Sequence, residues 1–352
     1  MTGRQRDLGL KIGGLPTGPL NSITDIPGVT VGHYTAILGE DVRTGATAIL
    51  PHGGNLFQEK VPAAIAVGNG FGKLIGFTQV EELGQIETPI ILTNTLSAPI
   101  AAAALIDYTL NQPGNETVRS VNPVVGETND GRLNNIRRRY LREEHFSAAI
   151  AAAGIGSVAE GSIGAGTGTV CLGFKGGIGT ASRVVRIAGE QYALGVLVQT
   201  NFGGSLQIVG IPVGQEIPGL QINDDFAGSC MIVVATDAPL LDRQLKRLVR
   251  RTFLGMGQTG GIMAHGSGDY AIAFSTAETL RMPRQPEAAI SRIAVLRDEF
   301  MNPLFKSVID ATEEAILNSL VAASTITGYK NFTAPALPLE QVKQVLKKYN
   351  RI

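Results

Sequence analysis

The chain alternates short apolar runs, typical of buried strands, with segments whose apolar residues recur at the helical period. GATAILP, AAIAVGNG, YALGVLVQTN, CMIVVAT and YAIAFSTA are short enough for strands, and several of them are rich in β-branched residues. In the segment TDAPLLDRQLKRLVRRTFLG, the helical period extends from Leu240 to Phe253. This segment predicts a long helix with Thr236 or Asp237 as its N-cap and Gly255 as its end.

Three further segments predict helices. SAPIAAAALIDYTLNQPGN has Ser97 as a candidate cap and Pro99 in its first turn. SAAIAAAG is rich in alanine and ends at Gly154, and NPLFKSVIDATEEAILNSLVAAST is long enough for several turns. No Pro/Ser-rich linker, charge block or internal repeat divides the chain, so we expect a single layered α/β domain over residues 1–352.

Glycine is the unusual feature of the composition. The chain has 44 glycines in 352 residues, whereas average usage is about 7%. They have no collagen period and lie inside apolar segments such as GSIGAGTGTVCLGFKGGIGT. Glycine within a strand pattern marks a bulge, a tight bend or a close backbone approach. The distribution therefore indicates tightly packed sheets with loops that lie close to the backbone.

The charges and the cysteines exclude several classes of function. Only 17% of residues are charged, with 30 basic and 30 acidic side chains, so nucleic acid and anionic membranes are poor candidates for partners. The basic run RRRYLR at 137–142 is interpreted as a solvated face or a subunit contact. Two cysteines and four scattered histidines have no zinc-site spacing, and we expect neither a metal nor a cofactor. The absence of a signal peptide and of a long apolar span predicts a cytoplasmic protein.

A Gly-Ser pair, Gly228–Ser229, stands directly before the apolar run CMIVVAT. The serine could close a loop, or it could be a nucleophile and a new chain terminus. GAGTGTV, in contrast, is a poor dinucleotide fingerprint, because its third glycine is misplaced and another glycine-rich strand follows.

Three other segments place polar side chains near predicted strands. HGSGDYAIAFST has Ser267 and Asp269 in a glycine loop before a strand, and VQTNFGG ends a strand with Asn201. VVGETNDG places Glu127 and Asn129 after a short apolar strand. Each segment is also compatible with a turn whose polar groups satisfy the local backbone. The functional alternatives are an amide that donates to an oxyanion and a carboxylate that binds a substrate ammonium.

These segments together resemble the self-processing aminopeptidases of the DmpA type (L-aminopeptidase/D-Ala esterase-amidase) and the related β-aminopeptidases. The resemblance covers nearly the whole chain and includes TGPLNSITDIPGVTVGH, VVGETNDG, GAGTGTVCLGFKGGIGTASR, VLVQTNFG, GSCMIVVATDAPLL and HGSGDYAIAFST. It implies a four-layer α-β-β-α sandwich of the N-terminal-nucleophile (Ntn) hydrolase type. It also implies cleavage between Gly228 and Ser229, which would give a large subunit 1–228 and a small subunit 229–352.

The resemblance also implies roles for the candidate residues. Ser229 would be the nucleophile, Asn201 the oxyanion donor, and Ser267 with Asp269 would relay protons or hold the amine of the serine. Glu127 would hold the amine of a small peptide or amide substrate. Asp269 stands where some relatives have Glu, and Asn129 stands where the aminopeptidases carry an aromatic residue near that acid. Relatives further suggest a homotetramer of processed pairs.

The proposed chemistry agrees with the residues themselves. A serine hydroxyl is a weak nucleophile until a base takes its proton. The α-amine of a chain terminus, with an ordinary pKa of about 7.7–8.0, is such a base near neutral pH. Two alternatives remain open. One is an acyltransferase or another amidohydrolase on the same fold, whose members generally use threonine. The other is an uncleaved, non-catalytic binding protein.

Overall fold

A computed structural model of the chain describes residues 3–217 and 228–352. The strands in this part of the chain are, in order, β1 (Thr30–Leu38), β2 (Val42–Leu50), β3 (Glu59–Gly70), β4 (Leu74–Ile75), β5 (Gln85–Ile86), β6 (Ile90–Asn94), β7 (Val124–Thr128), β8 (Val170–Cys171), β9 (Phe174–Lys175), β10 (Ile178–Ile187), β11 (Glu190–Asn201), β12 (Gly228–Thr236), β13 (Ser267–Ser275), β14 (Met282–Pro283), β15 (Ile326–Thr327) and β16 (Thr333–Ala334).

The α-helices of the same residues pack on the outside of two sheets. They are α1 (Phe77–Leu83), α2 (Ala98–Leu110), α3 (Glu143–Ala151), α4 (Val213–Glu216), α5 (Asp242–Val249), α6 (Thr252–Gln258), α7 (Asn302–Val321) and α8 (Leu339–Lys348). Within the described ranges, none of the helices combines the length and the apolar character that a membrane span needs.

Two large sheets form the centre of the molecule. The first has the strand order β1-β2-β6-β7-β4, and the second has the order β10-β11-β12-β13-β3-β14, with β5 also paired to β3. Most neighbouring strands are antiparallel, whereas the pairs β6–β7 and β12–β13 are parallel. Parallel strands run in the same direction and can begin at the same edge of a sheet. The first residues of β12 and β13 therefore lie side by side.

Three apolar clusters separate the layers. One lies between the first sheet and helices α2 and α3, and it contains Ala48, Ile91, Ala101, Leu105, Phe146 and Ala149. A second lies between the two sheets and contains Ile49, Leu92, Ile65, Leu197, Met231 and Ile272. The third lies between the second sheet and helices α5 to α7, with Val196, Ile232, Leu245, Leu248, Ala311 and Leu320. This layering confirms the predicted α-β-β-α sandwich.

Helix α7 lies almost directly on the second sheet, and glycine makes this close approach possible. A Cβ atom on Gly179 of β10 would lie only 1.9 Å from the carbonyl oxygen of Ala315 in α7. An ion pair of 2.6 Å between Arg183 of β10 and Glu314 of α7 joins the same two elements, and both side chains are fully buried. Part of the glycine excess is therefore used to pack helices against the backbone of strands.

The prediction for the segment after β12 was wrong in its boundaries. Thr236 is the last residue of β12, and the segment forms two helices, α5 and α6. The hydroxyl of Thr236 donates to the carbonyl of Ala193, and the carboxylate of Asp237 accepts from the N–H of Ala193. These side chains bind β11 and cap no helix. Gly255 lies inside α6, where a Cβ would be 2.6 Å from the carbonyl oxygen of Ile309 in α7.

The other predicted helices are present. Helix α2 starts directly after Ser97, although the hydroxyl of that residue makes no capping hydrogen bond. Helix α3 starts at Glu143, four residues before the predicted alanine-rich segment, and ends before Gly154. The long C-terminal helix is α7, most of whose residues are buried.

Candidate active site

The register of three neighbouring strands brings four of the candidate residues together. In the antiparallel pair β11–β12, Asn201 lies opposite Ser229. In the parallel pair β12–β13, Gly228 lies opposite Ser267, and Cys230 lies opposite Asp269. The first residues of β12 and β13 and the last residue of β11 therefore meet at one edge of the second sheet.

The hydroxyl of Ser229 lies against the peptide bond that precedes it. Its Oγ donates a hydrogen bond of 2.6 Å to the carbonyl oxygen of Gly228. The side chain is nearly buried, with 5% of the residue surface exposed. A Cβ atom on Gly228 would lie 2.2 Å from the carbonyl oxygen of Asn201. Any residue larger than glycine would therefore push β12 away from β11 at the position of the serine.

Asn201 is held in a fixed orientation at the end of β11. Its Oδ1 accepts a hydrogen bond of 3.0 Å from the N–H of Val170, and its Nδ2 donates one of 3.1 Å to the carbonyl oxygen of Asn129. An amide nitrogen carries two hydrogens. Asn129 uses one of them, and the other has no acceptor among the described residues, at a position that lies opposite Ser229.

Ser267 and Asp269 are strand residues, which corrects their prediction as part of a glycine loop. Both belong to β13 and are buried. Alternation along the strands places Asp269 with Cys230 on the helix side of the sheet, whereas Ser229 shares the opposite side with Met231. Asp269 therefore lies next to the backbone at the start of β12 and not next to the Ser229 hydroxyl.

The carboxylate of Asp269 is buried without a full set of partners. Within the described residues, neither of its oxygens nor the hydroxyl of Ser267 makes a hydrogen bond of good geometry. Burial raises the pKa of Asp269 to about 6, although the nearby Ser267 hydroxyl and the N–H of Cys230 partly favour its charged form. A buried carboxylate in this state would be stabilised by a cation at the start of β12.

Glu127 lies inside β7, and not after it as predicted, and it has a cationic neighbour that the sequence did not reveal. Its Oε1 accepts a hydrogen bond of 2.9 Å from the backbone N–H of Lys73 and lies 3.5 Å from the Nζ of the same residue. Glu127 is 3% exposed. The sequence signal for Lys73 is weak, since it is one lysine after the glycine loop GNGFG.

Asn129 and Asp130 follow β7 and contribute differently. The side chain of Asn129 accepts from the N–H of Gly131, as the turn interpretation expected, while its carbonyl oxygen orients Asn201. Asp130 is buried and accepts from Asn134, and burial raises its pKa to about 6. Only Asn129 of these two lines the cavity described next.

A cavity of about 1010 Å³ opens in front of Ser229. Its polar lining includes Ser229, Asn201, Glu127, Asn129, Lys73 and Arg132, and its apolar lining includes Phe71, Ile136, Leu172 and Phe332. Ser267 and Asp269 lie behind this wall. Across the described residues, His, Cys, Asp and Glu side chains form no group of three or more that could hold a metal ion.

The profile of peptidase family S58 matches residues 21–334. The chain belongs to this family. It is 40% identical to the β-peptidyl aminopeptidase BapA of Sphingosinicella microcystinivorans, over 99% of this chain and 93% of the relative. It is also 46% identical to a solved protein of Pyrococcus horikoshii, with a TM-score of 0.94 over 99% of this chain and all of that one.

A third relative identifies the fold type. The solved L-aminopeptidase D-Ala-esterase/amidase of Ochrobactrum anthropi is 37% identical, with a TM-score of 0.93 and 99% coverage of both chains, and it is described as a variant of the Ntn hydrolase fold. Membership of family S58 with this fold makes the chain an aminopeptidase-type hydrolase, as the sequence predicted.

The raised pKa of Asp269, whose carboxylate has no hydrogen bond of good geometry among the described residues, predicts an unusual dependence of stability on pH. Its folded pKa of about 6 exceeds the unfolded value of about 3.9, so ionisation costs stability as pH rises through 6. In an uncut Ser229→Ala chain, Asp269→Asn should raise the free energy of unfolding at pH 8 by up to about 3 kcal/mol, with no gain at pH 4. Urea denaturation at both pH values measures this.

A matched control has the opposite sign. Hydrogen bonding and charge from Arg243 lower the pKa of the exposed Asp298 to about 2, so Asp298→Asn should lose stability at pH 8. A destabilised Asp269→Asn chain at pH 8 would show that the carboxylate has a stabilising partner in the uncut protein.

Proposed function

We propose that this chain is a self-cleaving serine aminopeptidase that releases small N-terminal residues from peptides, amides or esters through an acyl-enzyme on Ser229. The observation that carries the proposal is the position of the Ser229 hydroxyl, which donates to the carbonyl of Gly228 while Asn201 lies opposite on β11. In this proposal, Ser229 is the nucleophile and Asn201 the oxyanion donor at the same peptide bond.

Self-cleavage would use the residues in front of that bond. The Ser229 oxygen attacks the carbonyl carbon of Gly228, the C–N bond breaks, and the acyl group moves from nitrogen to oxygen. Water then hydrolyses the ester, which leaves a carboxylate on Gly228 and a free α-amine on Ser229. Glycine suits this position because no side chain obstructs the approach, and because only glycine fits against Asn201.

The new amine would complete the catalytic site. It is the base that takes the proton of the Ser229 hydroxyl when a substrate carbonyl is attacked. In its protonated form it is also a cation at the start of β12, where the carboxylate of Asp269 has no hydrogen-bond partner among the described residues. Pairing with this ammonium would lower the pKa of Asp269, and Ser267 would help to hold the amine. Cleavage therefore supplies one group that is both the base for catalysis and, when protonated, the cation that pairs with Asp269.

The cavity supports a substrate with a free amine. Glu127 lies in the wall that also carries Ser229, and a carboxylate in a largely desolvated pocket favours an ammonium over an acylated nitrogen. Of the relatives, BapA is a β-peptidyl aminopeptidase and the Ochrobactrum anthropi enzyme is an L-aminopeptidase and D-Ala-esterase/amidase. We therefore propose small α- or β-amino acyl groups as the acyl part of the substrate.

The alternatives predict other results. Acyl transfer to an amine would show an acyltransferase, against which serine at position 229 is a mild argument. An intact chain after long incubation would favour the uncleaved, non-catalytic binding protein. The cytoplasmic location and the homotetramer of processed pairs remain parts of the proposal that rest on the sequence alone.

Self-cleavage is tested by intact mass and N-terminal sequencing. The purified chain should separate into fragments of 228 and 124 residues, and the smaller one should begin Ser-Cys-Met-Ile. Ser229→Ala should remain a single chain without activity, since it lacks the nucleophile. A small fragment that begins Ser-Gly-Asp-Tyr would instead identify Ser267 as the nucleophile, and a cleaved, active alanine variant would refute the assignment.

The oxyanion role of Asn201 is tested on the processed enzyme. Asn201→Ala should lower kcat for a p-nitroanilide substrate by about 10²–10³, as is typical for the loss of one such donor. Stopped assays with the folded, cleaved variant measure this, and circular dichroism controls for the fold. An unchanged kcat would assign the oxyanion to backbone N–H groups and leave Asn201 as a turn residue.

Recognition of the amine is tested with Glu127→Gln, which keeps the size of the side chain and removes its charge. Loss of a charge-assisted hydrogen bond should lower kcat/KM for alanyl p-nitroanilide by about 10–100-fold. Self-cleavage involves no free amine and should proceed normally. If the variant keeps both the wild-type rate and the wild-type discrimination against N-acetyl-alanyl p-nitroanilide, Glu127 does not bind the amine.

A further inference from the structure

Lys73 places a cation in the wall of the cavity, directly beside the proposed amine-binding carboxylate. Its Nζ lies 3.5 Å from Oε1 of Glu127 and donates a hydrogen bond of 2.6 Å to the hydroxyl of Thr95. All three residues line the cavity, and the side chain of Lys73 is 47% exposed. The cavity thus presents an anion and a cation side by side.

The contact between Lys73 and Glu127 has two parts of different strength. The backbone N–H of Lys73 donates to Oε1 from within the chain and fixes the carboxylate. The side-chain ammonium is half-exposed, and its distance of 3.5 Å from Oε1 exceeds the roughly 2.7–2.9 Å of a charged hydrogen bond, so this contact is the weaker of the two. Lys73 can therefore exchange Glu127 for another anion at low cost, and Oε2, which neither contact uses, can accept an incoming ammonium.

A substrate residue that carries an amine and a carboxylate together would match this pair of charges. An ammonium alone would bind Glu127 but leave Lys73 without its anion. A zwitterionic group gives the ammonium to Glu127 and the carboxylate to Lys73, so that both charges stay paired.

Few N-terminal residues can offer such a group and still be an acyl donor. In an ordinary α-peptide, the α-carboxyl is consumed by the scissile amide. In a β-aspartyl residue the amide is formed by the side-chain carboxyl, and the α-amine and the α-carboxylate remain free on one carbon. The amine is then β to the scissile carbonyl, as in any β-amino acyl group.

We propose that Lys73 is a specificity-determining residue that binds the free α-carboxylate of N-terminal β-aspartyl residues. The inference rests on the proposed function, since it concerns the acyl group that Ser229 would receive. It assigns β-aspartyl amides and peptides as a substrate class of this site.

The test compares two substrates that differ only by the carboxylate, the β-(p-nitroanilide) of L-aspartic acid and β-alanyl p-nitroanilide. The wild-type enzyme should have the higher kcat/KM for the β-aspartyl compound. Lys73→Met should lower that value by about 10–100-fold, the effect of a lost charged hydrogen bond. It should raise kcat/KM for β-alanyl p-nitroanilide, because the ammonium of Lys73 no longer competes with that of the substrate for Glu127. Lys73→Arg should keep most of the β-aspartyl preference.

Lys306→Met is the matched control. Lys306 is similarly exposed and lies 3.2 Å from the carboxylate of Asp310, outside the cavity, so its loss should not change the ratio of the two rates. Self-cleavage of each variant reports that it has folded.

Two results would overturn the inference. One is a wild-type enzyme that prefers the β-alanyl substrate, and the other is a Lys73→Met variant that loses both activities equally. Hydrolysis of β-alanyl p-nitroanilide without hydrolysis of the β-aspartyl compound contradicts this inference alone, whereas hydrolysis of neither contradicts the proposed function as well.

Discussion

The site depends on the backbone pairing of β12 with its two neighbours. Antiparallel pairing with β11 places Asn201 opposite Ser229, and parallel pairing with β13 places Asp269 opposite Cys230. A shift of one residue would turn Ser229 to the helix side of the sheet. Two constraints oppose this shift. Gly228 fits tightly against Asn201, and the apolar residues Met231 and Ile232 belong to different clusters on the two faces.

The same pairing explains why the carboxylate of Asp269 is buried without a hydrogen-bond partner among the described residues. Asp269 projects to the helix side near the N–H of Cys230, and burial raises its pKa to about 6. A free amine on Ser229 would supply the missing cation. The uncut and the cut chain would thus differ in electrostatics more than in fold. The loss of stability on ionisation of Asp269 would be offset once the α-amine of Ser229 is formed.

Much of this arrangement could be predicted from the sequence, because strand ends and glycine positions are local signals. The run CMIVVAT and the end of β11 at Asn201 were identified by pattern, and the resemblance supplied the roles of the residues. The boundaries after β12 were wrong because Thr236 and Asp237 use their side chains to bind Ala193, a contact distant in sequence that no capping rule contains.

The pairing of Lys73 with Glu127 could not be predicted for a related reason. The two residues are 54 positions apart and meet because β4, which starts at Leu74, pairs with β7. Lysine after a glycine loop is an ordinary surface pattern, and only the tertiary structure gives it a carboxylate partner. Buried partners of charged groups are thus the least predictable part of such a site.

The proposed mechanism assigns the hydroxyl oxygen of Ser229 as the atom to which the acyl group of the substrate is transferred. It is tested most directly by acid-quenching the processed enzyme during turnover of an amino acyl ester and mapping the acylated peptide by mass spectrometry. We expect the acyl group on the first residue of the 229–352 fragment. An acyl group on Ser267, or on any residue of the 1–228 fragment, would contradict it.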